Sequence, residues 1–253
     1  MGERKEILTA SNILAALAFL FSMVSFYMSY QASQKESIRV KREELRNVLS
    51  DLIDTSKQFR ENLNSNESGQ FYDLYTEKRF IYFAAAESII EEIPNEVGWA
   101  EYNTLAKQAF TDDNYEKVVS YLERAKNHAK TTQSKVYTRN ALAQVYFAET
   151  PIRDYELARG YFKEAANILE GMKDPYFLAL IADTYRAWAI CEAEAGFQEE
   201  SRILLGRSEK YLNDLPNSFP FKKEQLRELS DQMRSDSERA RSLPNNSLEG
   251  RRP

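Results

Sequence analysis

The sequence predicts an all-α fold, and three observations support that prediction. Glycine and proline are scarce, at 8 and 7 of 253 residues, whereas average usage would give the two together roughly 12% of the residues. β-Sandwiches and barrels need many such turn residues. The first part of the chain has a long apolar run without charges, and most of the rest has apolar residues at helical spacing. An apolar fraction of 43% is enough to build a core, which excludes a globally disordered chain.

Residues 7–31 are predicted to form a transmembrane helix that follows a short N-terminal tail, residues 1–6. From Ile7 to Tyr30 there are 24 residues without Asp, Glu, Lys or Arg, and a helix of that length crosses a hydrocarbon core of about 30 Å. A cleaved signal peptide is disfavoured because Tyr30 is bulky at the position three residues before a cut after Ala32. Five cations between Lys35 and Arg46 favour a cytoplasmic location for the long C-terminal part. The chain is therefore expected to be a single-pass protein of the cell membrane.

One face of this predicted membrane helix carries only small residues. Small side chains allow two helix backbones to approach closely, and serine hydroxyls can hydrogen-bond across the contact. The stripe consists of Ser11, Ala15, Ala18, Ser22, Ser25 and Ser29. It favours self-association and hence a homo-oligomer, with chance occurrence or a serine-lined pore as the alternatives.

Residues 33–93 are predicted to form a helical stalk or hairpin. Apolar residues between Ile38 and Leu63 follow a heptad pattern, which suits a parallel coiled coil or one side of an antiparallel hairpin. The second helix of a hairpin would run from Phe71 to Ile93 after a turn-forming segment, residues 65–70. The sequence leaves both arrangements open. Six aromatic residues between Phe71 and Phe83 are expected to pack in a core.

Two successive segments, Glu101–Ala129 and Val136–Glu170, repeat one pattern. Each has an amphipathic helix with a Leu-Ala pair, a polar turn, and a second helix that opens with Tyr-Glu. The second helices match as Tyr115, Val118, Leu122 and Ala125 against Tyr155, Ala158, Phe162 and Ala165. Small residues at these places allow close packing of paired helices.

This pattern resembles the tetratricopeptide repeat (TPR), whose helix–turn–helix units have 34 residues. The resemblance covers 98–216 and implies an α-solenoid. A third, weaker unit contains Tyr185, Trp188 and a turn at Gly196, and ends at Pro216. The first two units lack the closing proline of the family, and the second has a longer turn around residues 150–154. Residues 217–241 are expected to form a capping helix and residues 242–253 a disordered tail.

The resemblance also implies that the first helix of each unit lines a groove for an extended peptide or a helix. Asparagine amides there can bind a peptide backbone, and phenylalanine rings can anchor apolar side chains. The corresponding positions are Asn103, Lys107, Phe110, Tyr137, Asn140, Gln144, Phe147 and Arg186. The residue set with which family members bind a chaperone's C-terminal carboxylate is absent. These positions could also be merely solvated or packed.

The residue types argue against an enzyme. The sequence has no glycine-rich phosphate loop, no GxSxG, no HExxH and no cysteine pair. His128 and Cys191 are the single histidine and cysteine, so no catalytic residue, metal site or cofactor is predicted. Nucleic acid is also disfavoured as a partner, because residues 71–216 hold 17 Lys and Arg against 24 Asp and Glu.

The sequence thus predicts a membrane-anchored TPR-like scaffold or adaptor that binds a protein or peptide partner at the membrane surface. One alternative is a membrane-perturbing effector whose transmembrane helices cluster when the solenoid docks a partner. A second alternative, which applies if the topology is reversed, is a periplasmic assembly or folding factor.

Overall fold

The computed structural model describes residues 10–63, 68–220 and 222–231. All regular secondary structure within these ranges is α-helical, as the sequence predicts. Nine helices are found there: α1 (Ala10–Leu63), α2 (Ser68–Glu92), α3 (Trp99–Thr111), α4 (Tyr115–His128), α5 (Thr132–Phe147), α6 (Tyr155–Leu169), α7 (Pro175–Glu194), α8 (Gln198–Asn213) and α9 (222–231).

The chain divides into two compact units between Val97 and Gly98. In the first unit α2 packs against α1, and Lys41 of α1 forms an ion pair with Glu92 at the far end of α2. The helices are therefore antiparallel, and the structure shows the hairpin rather than the parallel coiled coil. Leu45, Leu49 and Leu52 of the predicted heptad face are buried. The second helix begins three residues before the predicted Phe71.

The predicted transmembrane helix is not supported by the described residues. Among them, no helix combines the length and the apolar character that crossing a membrane requires. Residues 1–9, which include the start of the predicted span, lie outside the described ranges, as does the side chain of Ser11. The other five residues of the small-residue stripe are exposed on α1, and self-association through them stays a prediction.

The helices of the second unit pack as consecutive pairs. Helix α3 packs on α4, α5 on α6 and α7 on α8. Neighbouring pairs meet through α4 with α5 and α6 with α7, and the first helices α5 and α7 also contact each other. This arrangement is compatible with an α-solenoid, in which each pair contacts only its neighbours.

Side-chain caps fix where the helices of the pairs begin. Asn114 accepts a hydrogen bond from the Lys117 amide at 3.2 Å, and Asp154 accepts one from the Leu157 amide at 3.0 Å. Such caps satisfy backbone donors that have no partner inside the helix. Helices α4 and α6 therefore begin at Tyr115 and Tyr155, the Tyr-Glu positions expected from the sequence.

The third pair and its cap close the second unit. Helix α7 ends at a turn in which Gly196 has a φ of +92°, and Ser201, Leu205 and Ser208 of α8 are buried. Leu226 and Leu229 of α9 pack into the apolar cluster of this pair. Residue 221 and residues 232–253, which hold the rest of the predicted cap and the tail, lie outside the described ranges.

Two glycines inside helices offer a stability test. A Cβ added at Gly160 in α6 or at Gly206 in α8 would meet no atom within 4 Å. Because alanine loses less backbone entropy in a helix, each change to alanine should raise the free energy of unfolding by about 0.5–1 kcal/mol. Denaturant titration of the single variants measures this.

The control is Gly196→Ala. It places a Cβ on a residue with a φ of +92° and should lower stability by about 1 kcal/mol. Equal shifts in all three variants would contradict the helical backbone at Gly160 and Gly206.

Candidate binding groove

Helices α3, α5 and α7, the first helices of the three pairs, together line an open groove of about 520 Å³. Its wall combines amide, charged and aromatic side chains, and no residue of α4, α6 or α8 contributes to it. The lining residues are Trp99, Asn103, Lys107, Tyr137, Asn140, Ala141, Gln144, Asp183, Arg186, Ala187 and Ile190.

A smaller apolar pocket of about 210 Å³ adjoins the groove. Its wall is formed by Ala106, Phe110, Val118, Leu122 and Val145. Its rim consists of Asn103, Lys107, Ala141 and Gln144, which also line the groove. The pocket and the groove are therefore two parts of one surface.

The structure brings seven of the eight sequence-predicted residues to this surface. The exception is Phe147, which is only 6% exposed and belongs to the core. Its ring centroid lies 5.4 Å from that of Tyr155 and 6.0 Å from that of Phe162. Phe110, at the equivalent position of α3, is 41% exposed. The two phenylalanines thus occupy different environments despite their equal spacing from Asn103 and Asn140.

The sequence prediction missed five residues that line the groove, namely the small Ala141 and Ala187 and three larger residues. Trp99 lies one turn before Asn103, Asp183 lies three residues before Arg186, and Ile190 lies four residues after it. Residues three or four apart share one helix face. Extending the helical periodicity from the predicted positions would have found all three.

Arg186 is the most constrained charge in the groove. Its guanidinium pairs with Asp183 at 3.1 Å and with Glu228 of α9 at 2.9 Å. Burial raises the pKa of Asp183, and the nearby Arg186 cation opposes that rise. The positive charge of Arg186 is thus compensated by two carboxylates.

Asn140 connects two of the groove helices. Its Nδ2 donates to Thr184 Oγ1 of α7 at 3.0 Å, and the Thr184 hydroxyl donates to the Leu180 carbonyl oxygen at 3.0 Å. The threonine hydroxyl hydrogen is used in this second bond, so Thr184 can only accept from Asn140, and the orientation of the asparagine amide is fixed. Asn140 therefore helps to hold α5 against α7.

Cys191 lies on α7 and is partly buried. Burial raises the pKa of its thiol to about 12, with further contributions from Glu194 and Glu192. The cysteine thiol has a pKa of about 8.5 in the unfolded chain. The stabilisation that the neutral thiol gives the folded state is therefore complete below about pH 8.5 and is lost as the pH rises through about 12.

Since only the thiolate is nucleophilic, alkylation of native Cys191 by iodoacetamide at pH 8.5 should be at least about 100-fold slower than in urea-unfolded protein. Mass spectrometry measures both rates. Similar rates would contradict the raised pKa.

Comparison with known proteins gives no match to any protein family model, curated protein or solved structure. The resemblance to the tetratricopeptide repeat is thereby neither supported nor contradicted.

Proposed function

We propose that this chain is a TPR-like binding protein and that its groove receives an extended segment or a helix of a protein partner. The observation that carries this proposal is the convergence of seven candidate residues from α3, α5 and α7 on two adjoining surfaces. A solenoid that stacks helix pairs presents the same face of each pair to one ligand. The protein then acts as a scaffold or adaptor rather than by chemistry of its own.

The lining chemistry suits a peptide. Asn103 and Gln144 offer amide donors and acceptors for a peptide backbone, while Trp99, Phe110 and Tyr137 offer aromatic contact area. Aromatic anchors beside a few polar groups are typical of binding sites in which a small number of residues supplies most of the affinity.

A random peptide library, selected against the full-length protein in detergent micelles, tests this proposal. Peptides that bind the groove should lose about 10-fold or more in affinity on the double change Asn103→Ala plus Gln144→Ala. The matched control is Asn127→Ala plus Asn167→Ala, because it removes two exposed amides from α4 and α6, outside the groove. Selected peptides that are insensitive to the first pair, or equally sensitive to both pairs, would contradict the proposal.

We also propose that the N-terminal part of α1 attaches the protein to the cell membrane, with the bulk of the chain on the cytoplasmic side. Two observations support this. The run from Ile7 to Tyr30 is free of charged residues, and large apolar side chains of α1 from Leu14 to Tyr30 are exposed. Large apolar side chains exposed along this length favour contact with an apolar environment such as a membrane.

Carbonate extraction of cell membranes tests this attachment, with wild type compared to Leu17→Lys plus Val24→Lys. Wild type should stay in the membrane pellet and the variant should be released; wild type in the soluble fraction would contradict the proposal. A reporter fused to the C-terminus, active only in the periplasm, distinguishes the reversed topology of an assembly factor. Dye leakage from cells that depends on Ser22 and Ser25 would instead favour the effector.

A further inference from the structure

The rim of the apolar pocket carries three polar side chains whose functional groups are available to a ligand. In the part of the chain that the structure describes, the side chains of Asn103, Lys107 and Gln144 have neither a hydrogen bond nor an ion pair with another residue. All three belong to the pocket and to the groove at once. A ligand that crosses from one to the other must pass them.

The size of the pocket fits one large apolar side chain. Its volume is about 210 Å³, and apolar cavities of about 150 Å³ can hold a benzene molecule. Phe110, Val118, Leu122 and Val145 offer only apolar contacts. The pocket therefore favours a leucine, isoleucine, methionine or phenylalanine side chain.

The charges of the lining residues determine which ligand residue can lie next to that apolar residue. Asp183 and Arg186 pair with each other, and Arg186 also pairs with Glu228. Among the described lining residues, this leaves Lys107 as the charge without a compensating partner. A carboxylate of the ligand would be the compensating partner of Lys107.

Resting on the proposed function, we propose that the groove recognises an internal peptide motif in which a large apolar residue lies within two residues of an aspartate or glutamate. The apolar side chain enters the pocket, the side-chain carboxylate pairs with Lys107, and Asn103 and Gln144 hydrogen-bond to the peptide backbone. Lys107 and Phe110 of the pocket wall are three residues apart on α3, about 4.5 Å along the axis. An extended peptide advances about 3.3 Å per residue, which sets the two-residue spacing.

The surface continues on both sides of Lys107, and this identifies the carboxylate as a side chain rather than a chain terminus. On one side lies the pocket with Phe110, and on the other the groove continues to Tyr137 and Ile190. A ligand that ended at Lys107 would leave one of these two surfaces empty.

The test is a selection from two random peptide libraries, one with blocked and one with free C-termini, using full-length wild-type protein and the variant Lys107→Glu. Wild type should enrich peptides with the apolar–acidic pair, and their affinity should fall with rising salt concentration. Lys107→Glu should weaken their binding about 10-fold or more and should enrich lysine or arginine at the acidic position. The control Lys163→Glu makes the same charge change at an exposed position of α6 and should leave the affinity unchanged.

Each other outcome has a defined meaning. Enriched peptides without an acidic residue that still require Asn103 and Gln144 overturn this inference and leave the proposed function intact. Binding only of peptides with a free C-terminal carboxylate overturns the assignment to a side chain. Peptides that do not depend on Asn103 or Gln144 overturn the proposed function as well.

Discussion

Replacing Glu192 with alanine is expected to lower the free energy of unfolding of the second unit by about 3–5 kcal/mol. Glu192 is a charged residue near the C-terminal end of α7, yet it is only 1% exposed. Arg159 of α6 donates to both of its carboxylate oxygens, with Nε 2.8 Å from Oε1 and Nη2 2.7 Å from Oε2. Trp188 Nε1 donates to Oε1 at 2.8 Å.

The size of the expected loss follows from what the variant leaves behind. The Trp188 N–H would lose its buried acceptor, and the Arg159 cation would keep only the exposed Glu156 as a partner. A poorly compensated charge in a poorly hydrated region costs more than the net value of the pair. In the wild-type protein the hydrogen bond to Glu192, with the attraction between the two charges, raises the pKa of Arg159, and without Glu192 the guanidinium still keeps its proton, as arginine does throughout proteins. Arg159 therefore stays charged and cannot relieve the cost by losing its proton.

Glu156 provides the matched control because it pairs with the same arginine. The distance from Arg159 Nη1 to Glu156 Oε1 is 2.9 Å, but the Glu156 side chain is 86% exposed. Glu156→Ala should change stability by no more than about 0.5 kcal/mol, since water screens exposed pairs. Both tryptophans of the chain, Trp99 and Trp188, lie in the second unit, so tryptophan fluorescence in urea measures this unit. Equal losses in the two variants would contradict the buried role of Glu192.

The sequence could predict the helices and the paired organisation because both depend on local chemistry. Asn114 and Asp154 are short polar residues at the starts of amphipathic segments, and both cap the helices expected there. Burial of Leu45, Leu49 and Leu52 likewise follows the heptad spacing. The choice between coiled coil and hairpin could not be made from that spacing, because an apolar seam has the same pattern whichever helix covers it.

Contacts between helices explain most of what the sequence could not predict. Arg159 and Glu192 are 33 residues apart on different helices. Helical spacing places Glu192 on the same face as Trp188, four residues earlier, but it does not identify the arginine that compensates its charge. The groove residues were easier to find because they lie on one face of each first helix. Phe147 was wrongly assigned to the groove, because helical periodicity gives the face on which a residue lies but not which neighbouring helix covers that face.

Phe147 and Phe110 therefore give the second large expected effect, as a pair with opposite consequences. Phe147→Ala should lower the free energy of unfolding by about 3–5 kcal/mol, because it empties a core position that the surrounding helices cannot refill. Its ring contacts Phe162, which in turn stacks on Trp188 with ring centroids 5.5 Å apart. The cavity would thus adjoin the third helix pair as well.

Phe110→Ala should cost only about 1 kcal/mol, because the ring is 41% exposed and contacts Tyr115 edge-on, with ring centroids 5.8 Å apart. It should nevertheless weaken the binding of groove-selected peptides about 10-fold, since it removes a wall of the apolar pocket. Urea titration by tryptophan fluorescence and peptide affinity, measured on both variants, separate the roles. A larger stability loss for Phe110→Ala than for Phe147→Ala would contradict these two roles. The environment of each ring, and not its place in the repeat, decides whether the ring supports the core or contacts a ligand.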